Sequence, residues 1–273
     1  RNIKHLINDI ELIKGDIRDK EQLLLALDNV EYVFHEAALR SVPRSVDDPL
    51  STNDVNVYGT LLLLEMARKK KVRRVIYASS SSVYGDVPLL PKREEQKPAP
   101  ISPYAVSKLT GEYYCRVYTE IYGLDTISLR YFNVFGPRQD PYSQYAAVVP
   151  RFILLALKNE PLEIHGDGRQ SRDFTYVKNV AKANIKAMEV KSGGGKVYNI
   201  ACGEKHSVLD IAETIGKILN KKVRYKFTPP RRGDVRHTLA DISLARRELR
   251  YEPEVGFYDG MVETVKYFCK FFK

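Results

Sequence analysis

An apolar run ending in four consecutive serines, Tyr77-Ala78-Ser79-Ser80-Ser81-Ser82-Val83-Tyr84-Gly85, constrains this chain more than any other stretch. Arg73 to Ser79 reads as a buried strand, and Ser102 followed by Pro103 makes a good N-cap and first helical residue, predicting a helix over Pro103 to Tyr122. A further apolar strand, Asp125 to Tyr131, follows that helix. Upstream, Glu31 to Phe34 reads as a short buried strand and Asp54 to Lys70 as a helix, with Glu11 to Ile13 expected as an earlier strand. This alternation predicts an α/β fold, a parallel sheet with crossover helices.

The helix start also carries a chemistry. Of the 18 tyrosines, only Tyr104 has a lysine four positions later, and residues at that spacing share a helix face. An ammonium at Lys108 beside the Tyr104 phenol is expected to lower the phenol pKa and make a usable base. A serine at the end of the preceding strand can relay or share the proton.

The second half is more mixed. Helices are predicted over Ala146 to Lys158, Lys178 to Glu189, Val208 to Leu219 and Tyr258 to Phe271, with strands at Leu162 to His165 and Lys196 to Ala201. Gly193-Gly194-Gly195 is a flexible turn followed by a strand, not a phosphate loop. At 273 residues and 44% hydrophobic, the chain suffices for a sizeable core plus a smaller lobe. No stretch reaches the roughly 18 apolar residues of a membrane span, and no signal-peptide pattern is present. Cys115, Cys202 and Cys269 are far apart, which argues against a zinc site or disulfide framework and fits a reducing cytoplasm. The net charge of +10 is scattered and interleaved with acids, so it reads as a solvated surface with some attraction for a diphosphate, not as a nucleic-acid interface.

Several motifs in order give the chain a family likeness: Gly15-Asp16-Ile17-Arg18-Asp19, His35-Glu36-Ala37-Ala38, Ser41-Val42-Pro43-Arg44-Ser45, the serine run, the Tyr104/Lys108 pair, Leu129 to Arg138, Ser171-Arg172-Asp173-Phe174 and Arg231 to His237. The chain resembles the extended short-chain dehydrogenase/reductase family and, within it, the nucleotide-sugar 4-epimerases. The resemblance implies a Rossmann-like parallel sheet with a smaller mixed α/β substrate domain. The expected division is a dinucleotide-binding domain at 1–138, to which 174–200 returns, and a nucleotide-sugar-binding domain at 139–273. Such a fold opens with a Gly-rich phosphate loop, and none lies near Arg1. The expectation is therefore that a unit of roughly 30 residues precedes it.

The implied reaction oxidises C4 of a UDP-hexose to a 4-keto sugar and reduces it on the opposite face, with bound NAD as hydride carrier. By that resemblance Tyr104 is the base, Lys108 its electrostatic partner, and Ser80 and Ser82 the hydroxyls near O4. Cofactor contacts carry over to Asp16 and Ile17 near the adenine, and to His35, Ala37 and Ala38 along the pyrophosphate and ribose. Asn56 would stand behind the nicotinamide, Phe132 against its ring, and Ser79 beside Tyr104 and Lys108. Substrate contacts carry over to Ser41, Arg44, Ser80, Asn133, Ala147, Arg172, Arg231, Asp234 and Thr238. Thr238 falls where strict glucose epimerases place a large aromatic beside C2, which implies room for an N-acetyl group and hence for UDP-N-acetylhexosamine. Arg40 departs from the glycine common in hexosamine epimerases.

Similar 4,6-dehydratases carry an Asp-Glu pair, and decarboxylases a glutamate, where this chain has Ser81 and Ser82, so the chemistry is expected to stop at epimerisation. A UDP-glucuronate 4-epimerase is the alternative within the family and needs a cation near the C6 carboxylate. A silent NAD-binding regulator would not need Ser80, Tyr104 and Lys108. A homodimer through the two long helices of the sheet domain is also expected, with no nucleic-acid or membrane partner.

Overall fold

The computed structural model describes residues 2–143, 146–230 and 235–271. The chain enters through an irregular segment and helix α1 (Lys20–Ala26), then strand β1 (Tyr32–His35) and two short helices, α2 (Val42–Asp47) and α3 (Pro49–Asn53). A π-helical turn, Asp54–Tyr58, leads into α4 (Gly59–Lys69), followed by β2 (Arg74–Ser80), a 3-10 turn at Ser81–Tyr84, α5 (Pro103–Tyr122) and β3 (Asp125–Tyr131). The expected strand at Glu11 to Ile13 does not form, because 11–16 lies along the surface with no partner strand.

The next segment alternates short strands with longer helices: β4 (Val134–Phe135), α6 (Val148–Leu157), β5 (Leu162–His165), β6 (Ser171–Arg172), β7 (Thr175–Tyr176), α7 (Val177–Glu189) and β8 (Lys196–Ile200). Then come β9 (His206–Ser207), α8 (Val208–Leu219), β10 (Tyr225–Thr228), α9 (Ser243–Leu249) and α10 (Phe257–Phe271).

Four parallel strands form the main sheet in the order β1-β2-β3-β8, with Tyr77 of β2 opposite His35 of β1 and Ser128 of β3. The residues of the two central strands, β2 and β3, are buried on both faces, as parallel strands between helical layers require. Val75 and Tyr77 pack with Leu63, Leu64, Cys115 and Tyr118 from α4 and α5. On the other face Ile76, Ile127 and Leu129 pack with Val180 and Ala183 of α7 and Ala245 and Leu249 of α9. A separate core binds α6, β5, α8 and α10 around Phe135, Phe152, Ile164 and Met261. Helix α7 packs on the sheet and β8 is its fourth strand.

Local signals explain where the key helix runs. Ser102 accepts from the Ala105 amide with Pro103 at the first turn, and Gly123 closes the helix at φ 72°, where a left-handed residue is required. Gly111 lets α5 lie close to β2, since a Cβ there would stand 2.2 Å from the Tyr77 hydroxyl oxygen. Among the described residues, no helix is long and apolar enough to cross a membrane, and no group of His, Cys, Asp or Glu could hold a metal ion.

Candidate active site

The parallel strands end at His35, Ser80, Tyr131 and Ile200, and the carboxyl edge they form is where open α/β sheets bind ligands. From α5, Lys108 reaches the end of β2 and donates to the Ala78 carbonyl at 2.7 Å, while one turn earlier the buried Tyr104 phenol comes close enough to Ser80 for that hydroxyl to lower its pKa. The spacing of four therefore brings both side chains to the last residues of one strand.

Ser80 has a defined polarity. Its Oγ accepts from the Ser82 amide at 3.2 Å and from the Ser82 hydroxyl at 2.9 Å. A serine oxygen has two acceptor sites and one donor, so the remaining O–H is the group available to Tyr104. A donor aimed at the phenol oxygen favours the phenolate. Ser82 acts here through Ser80.

The electrostatics correct one expectation. The Tyr104 pKa is raised, chiefly by burial, against the Ser80 hydrogen bond and the charge of Arg40, both of which lower it. Lys108 is not among these influences. Its own ammonium is pushed down to about 8 by burial, opposed by the negative charges of Glu36 and Glu112. Burial thus outweighs the groups that lower the phenol pKa, and among those groups Arg40 is a positive charge.

Three further candidates are buried. Phe132 is fully buried in the core against Tyr84, with ring centroids 6.2 Å apart. The His35 ring is buried against Thr60, 2.9 Å from its hydroxyl, and burial with the Lys108 charge lowers its pKa to about 3. The ring is therefore neutral near pH 7. Ser79 is buried and gives its hydroxyl to Glu112, which is held by a two-point ion pair with Arg130 at 2.7 and 2.8 Å. For His35 and Ser79 only the main chain remains for a cofactor.

The other cofactor candidates line the mouth. Asn56 is buried and clamps the loop after β1, accepting from the Leu39 amide at 2.7 Å and donating to the Leu39 carbonyl and to Ser107 at 3.1 Å each. That clamp fixes the loop beyond Ala37 and Ala38, whose small side chains leave the main chain approachable. The exposed Asp16 carboxylate is gripped by Arg18, which lowers its pKa to about 2, and Arg18 crosses to Asp54 at 2.5 Å. Ile17 packs against Gly59. Lys108 spends one of its three N–H groups on Ala78 and has two left for vicinal hydroxyls, the donor set a nicotinamide ribose needs. These residues fit a dinucleotide.

Residues passed over in the sequence also converge here. Glu36 accepts from the Tyr131 hydroxyl at 2.8 Å, and the same oxygen receives the Asn184 amide at 2.8 Å. Glu36 reaches solvent along one side, yet the protein crowded around its carboxyl raises its pKa. Its place beside His35 in a quoted motif was the signal available.

On the second lobe, Asn133, Ala147 and Arg172 line one cavity of about 290 Å³, with Phe152 and Phe174 apolar and Glu163, His165 and Gln170 polar. The last three were not anticipated. Asn133, at φ 33°, donates to the Asp173 carbonyl at 3.1 Å and to Thr238 Oγ1 at 3.4 Å. This joins two substrate candidates to one frame. Ser41, at φ 114°, caps α2 by accepting from the Arg44 amide, and the Arg44 side chain is exposed. Arg231 and Asp234 lie outside the described residues.

The chain is similar to known proteins in sequence and fold. The UDP-glucose 4-epimerase of Mycolicibacterium smegmatis is 39% identical over 260 residues, covering 94% of this chain and 82% of that protein. The structure of a UDP-N-acetylglucosamine 4-epimerase from Methanobrevibacter ruminantium in complex with UDP-N-acetylmuramic acid superposes with a TM-score of 0.90 at 44% identity, over 94% of this chain and 82% of the other. That of a Thermus thermophilus UDP-glucose 4-epimerase in complex with NAD gives 0.89 at 35% identity, over 96% and 85%. With residues 1–201 matching the family model as well, the chain belongs to the NAD dependent epimerase/dehydratase family.

Proposed function

We infer that the protein is an NAD-dependent isomerase that inverts C4 of a UDP-hexose through a 4-keto intermediate. The observation that carries this is the gathering of Ser80, Ser82 and Lys108 at the end of β2, with the buried Tyr104 one helical turn before Lys108; Asn133 and Arg172 line a cavity of the second lobe. Bound NAD supplies the acceptor, and then the donor, of hydride at C4.

Tyr104 takes the proton of the sugar O4 and returns it after the keto sugar has turned over. The Ser80 O–H and the Arg40 charge stabilise the phenolate while it holds no proton. Lys108, on Ala78, is placed to hold the ribose of the cofactor. Ser81 and Ser82 stand where a dehydratase would need carboxylates, so nothing at those positions can shuttle a proton to C5 or C6.

Arg40 supports a second substrate class. Its charge acts on Tyr104, close to where the sugar must lie, and is of the sign that a C6 carboxylate requires. UDP-glucuronate therefore belongs in the assay. Thr238, small and mostly buried beside Asn133, supports room for a C2 N-acetyl group. The free cysteines Cys115, Cys202 and Cys269 support a cytoplasmic location.

The test is incubation of NAD-loaded enzyme with UDP-glucose, UDP-N-acetylglucosamine and UDP-glucuronate, scoring C4 inversion of each by NMR. Tyr104→Phe is expected to lower kcat by about 10²–10⁴-fold. Thr238→Tyr is expected to abolish turnover of the acetylated sugar and spare UDP-glucose; equal loss of both removes the C2 argument. No inversion of any of the three would defeat the epimerase reading.

A further inference from the structure

Asp173 is fully buried and touches neither the cavity nor the strand-end crevice directly, yet it joins chain segments from both sides of the site. Its Oδ1 accepts from the Cys202 amide at 2.9 Å, and its Oδ2 accepts from the Gly203 amide at 3.0 Å and the Ala240 amide at 3.3 Å. Cys202 and Gly203 form the turn immediately after β8, the last strand of the main sheet. Ala240 belongs to the segment that runs back from the second lobe.

That returning segment is laid parallel to β6. The Ser171 amide donates to Arg236, and the Thr238 amide donates to Ser171. One step further on, the Ala240 amide meets the carboxylate of Asp173 instead of a main-chain carbonyl. The ladder that carries Thr238 is thus held by backbone bonds, and the Asp173 side chain adds the link to the sheet.

We propose that Asp173 is a positioning residue for the epimerase reaction, setting the register between the lobe that holds the sugar nucleotide and the sheet that holds the reacting groups. The chain passes between these bodies near residues 132, 174, 202, 240 and 253, and Asp173 lies on one crossing while bonding two others. Asn133 adds another, because its amide rests on the Asp173 carbonyl. The charged and titratable groups that act on this carboxylate, or feel it, are Glu204, Cys202 and Tyr251. None is a cation. The carboxylate is held by amides alone, and burial raises its pKa to about 6.

The proposal rests on the epimerase reading. It is tested in the NAD-loaded enzyme with the Asp173→Asn substitution, which keeps the shape and turns an acceptor into a donor facing an amide. Because the β6 ladder and the nucleotide cavity do not depend on the carboxylate, kcat is expected to fall about 100-fold while KM for UDP-glucose stays within about threefold. A KM that rises as far as kcat falls, or unchanged kinetics, overturns the proposal. Should the variant not fold, Asp173→Glu, which keeps the carboxylate but displaces its oxygens from the three amides, decides. A lowered kcat with KM flat supports the role, and a wild-type kcat overturns it. A wild type that inverts no sugar fails the epimerase reading itself, a result distinct from an active wild type matched by its variant.

Discussion

Tyr104 is held in its protonated form by burial, so the groups that oppose burial decide how much base exists near neutral pH. Ser80 offers one hydrogen bond and Arg40 one positive charge, and both lower the pKa. Removing Arg40 as Arg40→Gln must therefore raise it further, leaving less phenolate at a given pH. The expected outcome is a lower kcat at pH 7 that recovers as pH is raised, seen as an alkaline displacement of the kcat profile. A profile that keeps its position with only its height changed would show that Arg40 acts on the substrate and not on the base. The same variant reports on UDP-glucuronate, whose KM is expected to rise more than that of UDP-glucose if the guanidinium also meets the carboxylate.

Helix α5 presents the reacting side chains only because it lies close against β2, and Gly111 permits that approach. A Cβ at Gly111 would stand 2.2 Å from the Tyr77 oxygen and 2.4 Å from its Cζ, and Tyr77 is itself buried with the Lys108 ammonium 5.0 Å from its ring centre. Gly111→Ala is expected to destabilise the fold by about 1–3 kcal/mol and to lower kcat as Lys108 shifts. Urea unfolding checks the first effect and steady-state kinetics the second; wild-type values for both would mean that the helix can move away freely. The bounds of α5 were legible because Ser102, Pro103 and Gly123 mark them, and α8 because Ser207 and Asp210 form a capping box and Asn220 ends the helix in left-handed geometry. Glu11 to Ile13 was misread because three residues say nothing about whether a partner strand exists. Within the site the limit was facing. Tyr131 and Asn133 turn to the crevice side while Phe132 between them fills the core, and His35 turns inward to Thr60 while Glu36 meets Tyr131. Adjacent residues of an extended chain point to opposite faces, and a motif does not say which face is the ligand's. Asp173 was quoted in a motif, but its amide partners lie 29, 30 and 67 residues away, beyond any local signal.

The outer face of α5 is apolar where a surface helix would be polar. Val106, Tyr113, Val117 and Ile121 are 50%, 56%, 38% and 68% exposed and recur at helical spacing along one side, while Ala105, Cys115 and Tyr118 on the other side are buried. Helix α4 packs beside α5, with the Tyr118 hydroxyl bonded to Glu65 at 3.2 Å and the Arg68 guanidinium 5.3 Å from the Tyr122 ring centre, so the two helices form one continuous surface. A second copy of this chain, related by a two-fold axis, would bury that stripe against itself in a four-helix contact. We propose a homodimer of this form. Substituting both Tyr113→Glu and Val117→Glu places like charges at the centre of the contact and is expected to give a monomer by sedimentation velocity at micromolar concentration. The residues argued to carry the chemistry, Ser80, Tyr104, Lys108 and Asn133, all come from one chain, so turnover per subunit should persist in the monomer. A wild type that sediments as a monomer, or a double variant that still sediments as a dimer, would place the interface elsewhere or remove it.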